Sequence, residues 1–114
     1  KNKIKNLNNS LDSLTDYKLI EYNQGISTIF FYPLTGRKHQ IRIVAKYINC
    51  PILGDKKYND IKKKITNDLM LHAYCLEFQF DNKNYSYSAD LPEVMLETIK
   101  KFGLNIPKKQ LFIN

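Results

Sequence analysis

Cysteine is scarce, with Cys50 and Cys75 the only two in 114 residues. A small secreted domain held by disulfides would need more, so the expected setting is a reducing cytoplasm. Long apolar runs are also missing. None approaches the ~20 residues of a membrane-spanning helix, and no signal-peptide pattern is visible. Internal repeats and a second domain are absent as well. The chain opens on Lys1 rather than methionine, so a processed chain or a fragment is expected. At 114 residues and 43% hydrophobic it can bury one small core.

Acidic residues are outnumbered, 11 Asp/Glu against 18 Lys/Arg, for a formal net charge of +7. The excess is uneven. Residues 1–64 hold 13 basic and 5 acidic side chains, and residues 65–114 hold 5 and 6. A basic half of this kind favours an anionic partner such as nucleic acid.

The pattern predicts an α+β fold, a mainly antiparallel or mixed sheet with two or three packing helices. Residues 1–14 read as a loosely ordered lead-in and 15–114 as one domain. Residues 15–22 and 26–33 read as a hairpin around Asn23-Gln24-Gly25. Residues 37–48 have helical spacing, with Ile41, Val44, Ala45 and Ile48 on one face and Thr35 as N-cap. Asn49-Cys50-Pro51 stops that helix. Residues 51–55 form a turn, and the basic 56–68 stretch has room for a short helix. Residues 69–80 read as a long strand, 81–84 as a turn and 85–89 as the returning strand. Asp90 and Glu93 form a capping box for the last helix, with Pro92 in its first turn and Gly103 closing it.

The most informative stretch is Thr35-Gly36-Arg37-Lys38-His39-Gln40-Ile41-Arg42. It joins a strand end, a tight turn and a helix start, where backbone N–H groups favour phosphate. Lys38, Arg42 and Lys46 follow i, i+4, i+8 spacing on one face. Spacing alone fits an ordinary solvated basic face better than a binding site.

The octapeptide resembles the T-G-R-x-H-Q-I-R signature of RluA-type RNA pseudouridine synthases. Three further motifs follow in order. Pro51-Ile52-Leu53-Gly54-Asp55 with Tyr58 is similar to the family's H-P-I-L-G-D-x-x-Y, with Cys50 where histidine is more usual. Leu71-His72-Ala73 is similar to L-H-A, and Ala89-Asp90-Leu91-Pro92 to A-P-L-P. Thr15-x-Tyr17 fits the strand before the signature. The likeness runs over residues 15–103, and four motifs in sequence are far more specific than one.

The resemblance implies the distal part of a pseudouridine synthase catalytic domain, with the N-terminal part of that domain as its missing partner. It implies isomerisation of uridine to pseudouridine in RNA without cofactor or metal. The ending, from Leu91-Pro92-Glu93 to Phe102-Gly103-Leu104, is similar to the RluC-like members acting on large-subunit ribosomal RNA. Transfer RNA is the second choice. Arg42 matches the arginine that pairs with the catalytic aspartate, a role that suits a guanidinium. Leu71 matches the apolar residue against the uracil, and Arg37, His39 and Gln40 are expected at the pocket, with His39 and Gln40 bracing the turn and the active-site wall. Lys38, Lys46, Lys56 and Lys57 are the expected RNA-binding residues. The family's R-L-D-x-x-T-S-G motif does not occur in these residues, and Asp12 and Asp16 have the wrong context for it. The chain alone is therefore expected to be inactive.

Two other classes stay open, a non-catalytic RNA-binding module and a structural domain whose basic residues confer solubility. A zinc site from His39, Cys50, His72 and Cys75 matches no standard spacing, so a satisfied histidine and core cysteines are expected. The run from Lys56 to Lys64 reads equally as an RNA-contacting loop or a solvated one. The eight tyrosines and six phenylalanines suit sheet and core packing better than base stacking.

Overall fold

The computed structural model describes residues 2–5, 14–60 and 65–109. They fall into two compact units, Lys1–Met70 and Leu71–Asn114. The architecture is α+β, with two antiparallel sheets and two helices among the described residues.

The first unit holds a three-stranded sheet of β1 (Asn2–Lys5), β2 (Leu14–Asn23) and β3 (Ile26–Pro33), in the order β1-β2-β3. β1 corrects the reading of a loosely ordered lead-in, because Asn2–Lys5 pairs with Leu14–Tyr17. Residues 6–13 lie outside the described residues. The β2–β3 hairpin turns as expected. Gln24 and Gly25 both take positive φ (51° and 81°), the two-residue geometry that matches strand twist. A bulge between Leu19 and Glu21 shifts the register by one residue.

α1 (Gln40–Tyr47) packs on β3 and buries Gln40, Val44 and Ala45. With Phe30 and Thr15, Val44 and Ala45 form the core of this unit. The helix starts three residues later than its periodicity suggests. Lys38 and His39 form a turn, and His39 is the N-cap in left-handed conformation, φ 55°. Lys38 therefore precedes the helix, and the three-residue basic face reduces to Arg42 and Lys46. The end of α1 is a Schellman motif. Asn49 takes φ 62°, its N–H donates to Lys46 O, and Cys50 N–H donates to Ala45 O. Pro51 then prevents continuation. Cys50 is exposed and Cys75 half-buried, so neither is the core cysteine expected.

Residues 56–58 form a turn that continues the loop from Pro51. Residues 61–64, the centre of the basic run, lie outside the described residues.

The second unit holds a hairpin of β4 (Cys75–Phe80) and β5 (Lys83–Ser88), then α2 (Glu93–Lys101). Asp81 and Asn82 make its turn, both at positive φ. The long strand expected from residue 69 begins only at Cys75. The reason lies in its partner. One more bond, Ala89 N–H to Tyr74 O, extends the ladder, and then Pro92 and the helix take the returning chain away. The expected capping box is also absent. Pro92 is the N-cap with extended ψ, its carbonyl accepting from Met95 and Leu96 N–H. The Asp90 carboxylate instead faces Lys109 Nζ at 3.3 Å. Gly103 closes α2 in left-handed conformation, with Leu104 N–H on Ile99 O, and both of those apolar side chains are buried.

Cross-strand pairing puts Leu76, Phe78, Phe80, Lys83, Tyr85 and Tyr87 on one face of β4–β5. Phe78 stacks on Tyr85 at 5.1 Å and on Tyr87 at 6.1 Å. The aromatic residues do pack within a sheet, yet Leu76, Phe78, Phe80 and Tyr87 remain exposed.

Candidate active site

The turn before α1 is held from beneath by one buried amide. Gln40 Oε1 accepts from Thr35 Oγ1 at 2.7 Å and from the Arg37 N–H at 2.9 Å. Its Nε2 donates to Leu14 O at 2.9 Å and to Thr15 Oγ1 at 2.8 Å. Both lone pairs and both hydrogens are used, the full capacity of a glutamine amide. Thr35 Oγ1 also accepts from Leu14 N–H. Thr35 is thus a strut between strand and turn rather than a helix cap. Gln40 is 4% exposed, and its four hydrogen bonds brace the turn. It fixes the wall from behind.

Above that support the turn presents His39. Its left-handed backbone is rare for a residue with a side chain, and histidine is among the tolerant types. The ring Nδ1 lies 3.1 Å from Tyr58 Oη, and the two rings meet edge to face at 5.7 Å. Burial and then the positive charges of Arg42, Lys57 and Lys38 push the His39 pKa down. The ring therefore favours its neutral form, able to donate from one nitrogen and accept at the other.

One turn into α1, Arg42 grips Asp55 in a two-point contact. Nε donates to Oδ2 at 2.9 Å and Nη2 to Oδ1 at 2.7 Å. The guanidinium carbon stands 5.1 Å from the centre of the Tyr58 ring, a cation–π contact. Asp55 was part of a recognised motif but carried no role in the sequence reading. Its side chain is fully buried. Oδ1 also accepts the Lys57 and Tyr58 N–H groups, each at 3.1 Å. The Arg42 hydrogen bonds hold the Asp55 carboxyl below its ordinary pKa, and the two backbone N–H groups add to that against the opposing effect of burial. The same contact raises the Arg42 pKa.

The loop that carries Asp55 is itself pinned. Gly54 takes φ 79°, and a Cβ there would overlap the Asp68 carbonyl that crosses it. Met70 N–H donates to Leu53 O, and Asn59 Nδ2 to Ile52 O. The spacing of Gly-Asp-x-x-Tyr was the available signal. A carboxylate after a left-handed glycine caps the turn that brings tyrosine back.

His39, Arg42, Asp55 and Tyr58 thus form one contiguous cluster. Arg37, Lys38, Lys56 and Lys57 are exposed around it, with Lys57 Nζ 5.4 Å from the Tyr58 ring centre. Lys46 is exposed at the far end of α1. Leu71 is exposed and belongs to the second unit. Asp16 is in β2, paired across to Tyr32, and Asp12 lies outside the described residues. His72 Nε2 meets Ala89 O at 2.9 Å, and no group of three or more metal-ligating side chains occurs among the described residues. Nor is any helix among the described residues long and apolar enough to cross a membrane.

No family model matches the chain. Curated relatives do. It is 36% identical over 94 residues, 79% of this chain, to ribosomal large subunit pseudouridine synthase D of Borreliella burgdorferi. It is 37% identical over 91 residues, 76% of this chain, to ribosomal large subunit pseudouridine synthase C of Rickettsia bellii. An uncharacterised RNA pseudouridine synthase of Zymomonas mobilis is 33% identical over 87 residues, 75% of this chain. These matches span 28%, 30% and 40% of the three relatives' lengths. Together with the ordered motifs and the cluster built from two of them, they define an RNA pseudouridine synthase sequence. The chain belongs to the RluA-type family, on the side of the large-subunit synthases C and D.

Proposed function

We propose that the complete protein isomerises uridine to pseudouridine in large-subunit ribosomal RNA in the cytoplasm, and that these residues are the distal part of its catalytic domain. Transfer RNA is the second substrate class. The observation that carries this reading is the four-residue cluster. Two separate motifs supply its members, and each member holds another in place. The relatives' names, ribosomal large subunit pseudouridine synthases D and C, support the reaction class.

In this reading the bond between ribose and uracil N1 breaks, the base turns, C5 joins the sugar and loses its proton, and N1 takes up a proton in its place. The base first leaves its stack, which costs a few kcal/mol. Exposed Lys38, Lys46, Lys56 and Lys57 hold flanking phosphates. Arg42 holds the catalytic carboxylate, supplied by sequence outside these 114 residues. Asp55 takes two of the five guanidinium N–H groups, and the other three have no partner among the described residues. The outer edge of the guanidinium can therefore receive a second carboxylate in two-point fashion. By the family resemblance alone, Leu71 is the apolar residue that meets the uracil.

The test is conversion of unmodified ribosomal RNA by the complete protein, read by mass spectrometry of its nucleosides. Arg42→Ala is expected to slow conversion about 10²–10³-fold, the scale of a lost transition-state charge contact, with RNA affinity retained. Normal turnover by that variant would refute the assignment. RNA binding without any conversion by the wild type would point instead to a non-catalytic binding module.

A further inference from the structure

We infer that Asp55 is a positioning residue for catalysis, setting the orientation of the Arg42 guanidinium so that its outer edge faces the catalytic carboxylate. The inference deepens the pseudouridine synthase reading and rests on it.

Arginine is a poor orienting device on its own. Its long side chain has many rotamers, and fixing it costs conformational entropy at the moment of use. Here that cost is met in advance. Asp55 takes the Nε–Nη2 edge, and this is the contact that defines the plane and rotation of the guanidinium. Tyr58 lies against its face and is itself held by His39. A monodentate contact would leave rotation about the chain open, whereas two parallel hydrogen bonds do not.

Asp55 is equally constrained. Its side chain is fully buried, its Oδ1 receives two backbone N–H groups, and its backbone follows a glycine that no other residue replaces without displacing Asp68. A carboxylate fixed this firmly is a rigid reference point. It stays out of contact with the reacting base and acts through Arg42. Removing its charge would leave the guanidinium free to turn toward solvent or phosphate.

Two measurements test this. In the 114-residue protein, the Arg42 Nε–H should give a slowly exchanging proton resonance with nitrogen-15 labelling. A rapidly exchanging signal in the wild-type chain overturns the clamp without any variant having to fold. In the complete protein, single-turnover rates are compared for wild type, Asp55→Asn, Arg42→Lys and the double variant. Asp55→Asn should lower the rate about 10–100-fold, as expected for a group that orients a contact residue, with RNA affinity unchanged. The double variant should be no slower than Arg42→Lys alone, because Asp55 acts only through the guanidinium. A purely structural Asp55 would make the two losses multiply, and wild-type turnover by Asp55→Asn would likewise refute the role. Both results leave the synthase reading intact. Absence of pseudouridine with the wild type would overturn that reading, and the inference with it.

Discussion

At the scale of single residues, the site separates side chains that meet the reaction from those that hold them. Gln40 is in the second group. Replacing it with leucine would take the amide partner from the fully buried Thr15 Oγ1 and from the Arg37 N–H, at about 1–3 kcal/mol for a buried group left unpaired. Gln40→Leu is expected to lower the urea midpoint of the first unit by an amount equivalent to about 3 kcal/mol, while the second unit melts as before. Equal losses in both units would mean that the glutamine is not a local staple. The signature set Gln40 beside the pocket as a brace of the turn and the active-site wall. Burial could not be read from that position, since a polar residue at a helix start is ordinarily solvated. The sequence singled out Arg42 but not Asp55, the carboxylate that holds it here. The sequence directed attention to a missing aspartate upstream, while a carboxylate 13 positions later already held one edge of the guanidinium.

At the scale of elements, the hairpins, both helices and the close at Gly103 followed from alternation, 3.6-residue spacing and turn chemistry. The misread boundaries have local causes. A left-handed His39 delayed α1, Pro92 displaced Asp90 as the cap of α2, and β4 began only where β5 offered a partner. β1 was missed because a Lys/Asn-rich segment has little strand signal before β2 supplies a ladder. The Pro51–Tyr58 loop gives the sharpest test at this scale. Gly54→Ala should cost at least about 2 kcal/mol, combining left-handed strain with displacement of the Asp68 backbone. Hydrogen exchange at the Met70 amide should accelerate while the β2–β3 ladder stays protected. An unchanged Met70 amide would show that the crossing segment gives way freely.

At the scale of the whole chain, pH acts through the cluster. The Asp55 pKa is lowered on folding, so its contribution is fully present above the ordinary carboxylate value near 4 and is lost as pH falls through the lower folded value. The His39 pKa is also lowered, so the unfolded chain takes up that proton first and stability declines as pH falls below about 6.5. Both act in the same direction. Thermal midpoints of the first unit should therefore fall gently from pH 7 to 5 and more steeply below 4, and Asp55→Asn should remove the steeper part. A midpoint that rises on acidification would contradict both assignments. The apolar face of β4–β5 has a different consequence, for handling. Its Leu76, Phe78, Phe80 and Tyr87 are open to solvent, a surface on which copies adhere. Net charge is the usual guard against such clumping, but the charge is elsewhere. Residues 1–64 carry 13 basic and 5 acidic side chains, whereas residues 65–114, which include this ribbon, carry 5 and 6. Self-association of the isolated chain is therefore expected through its near-neutral half, and added arginine or a lower protein concentration should keep it in solution more effectively than a change of salt.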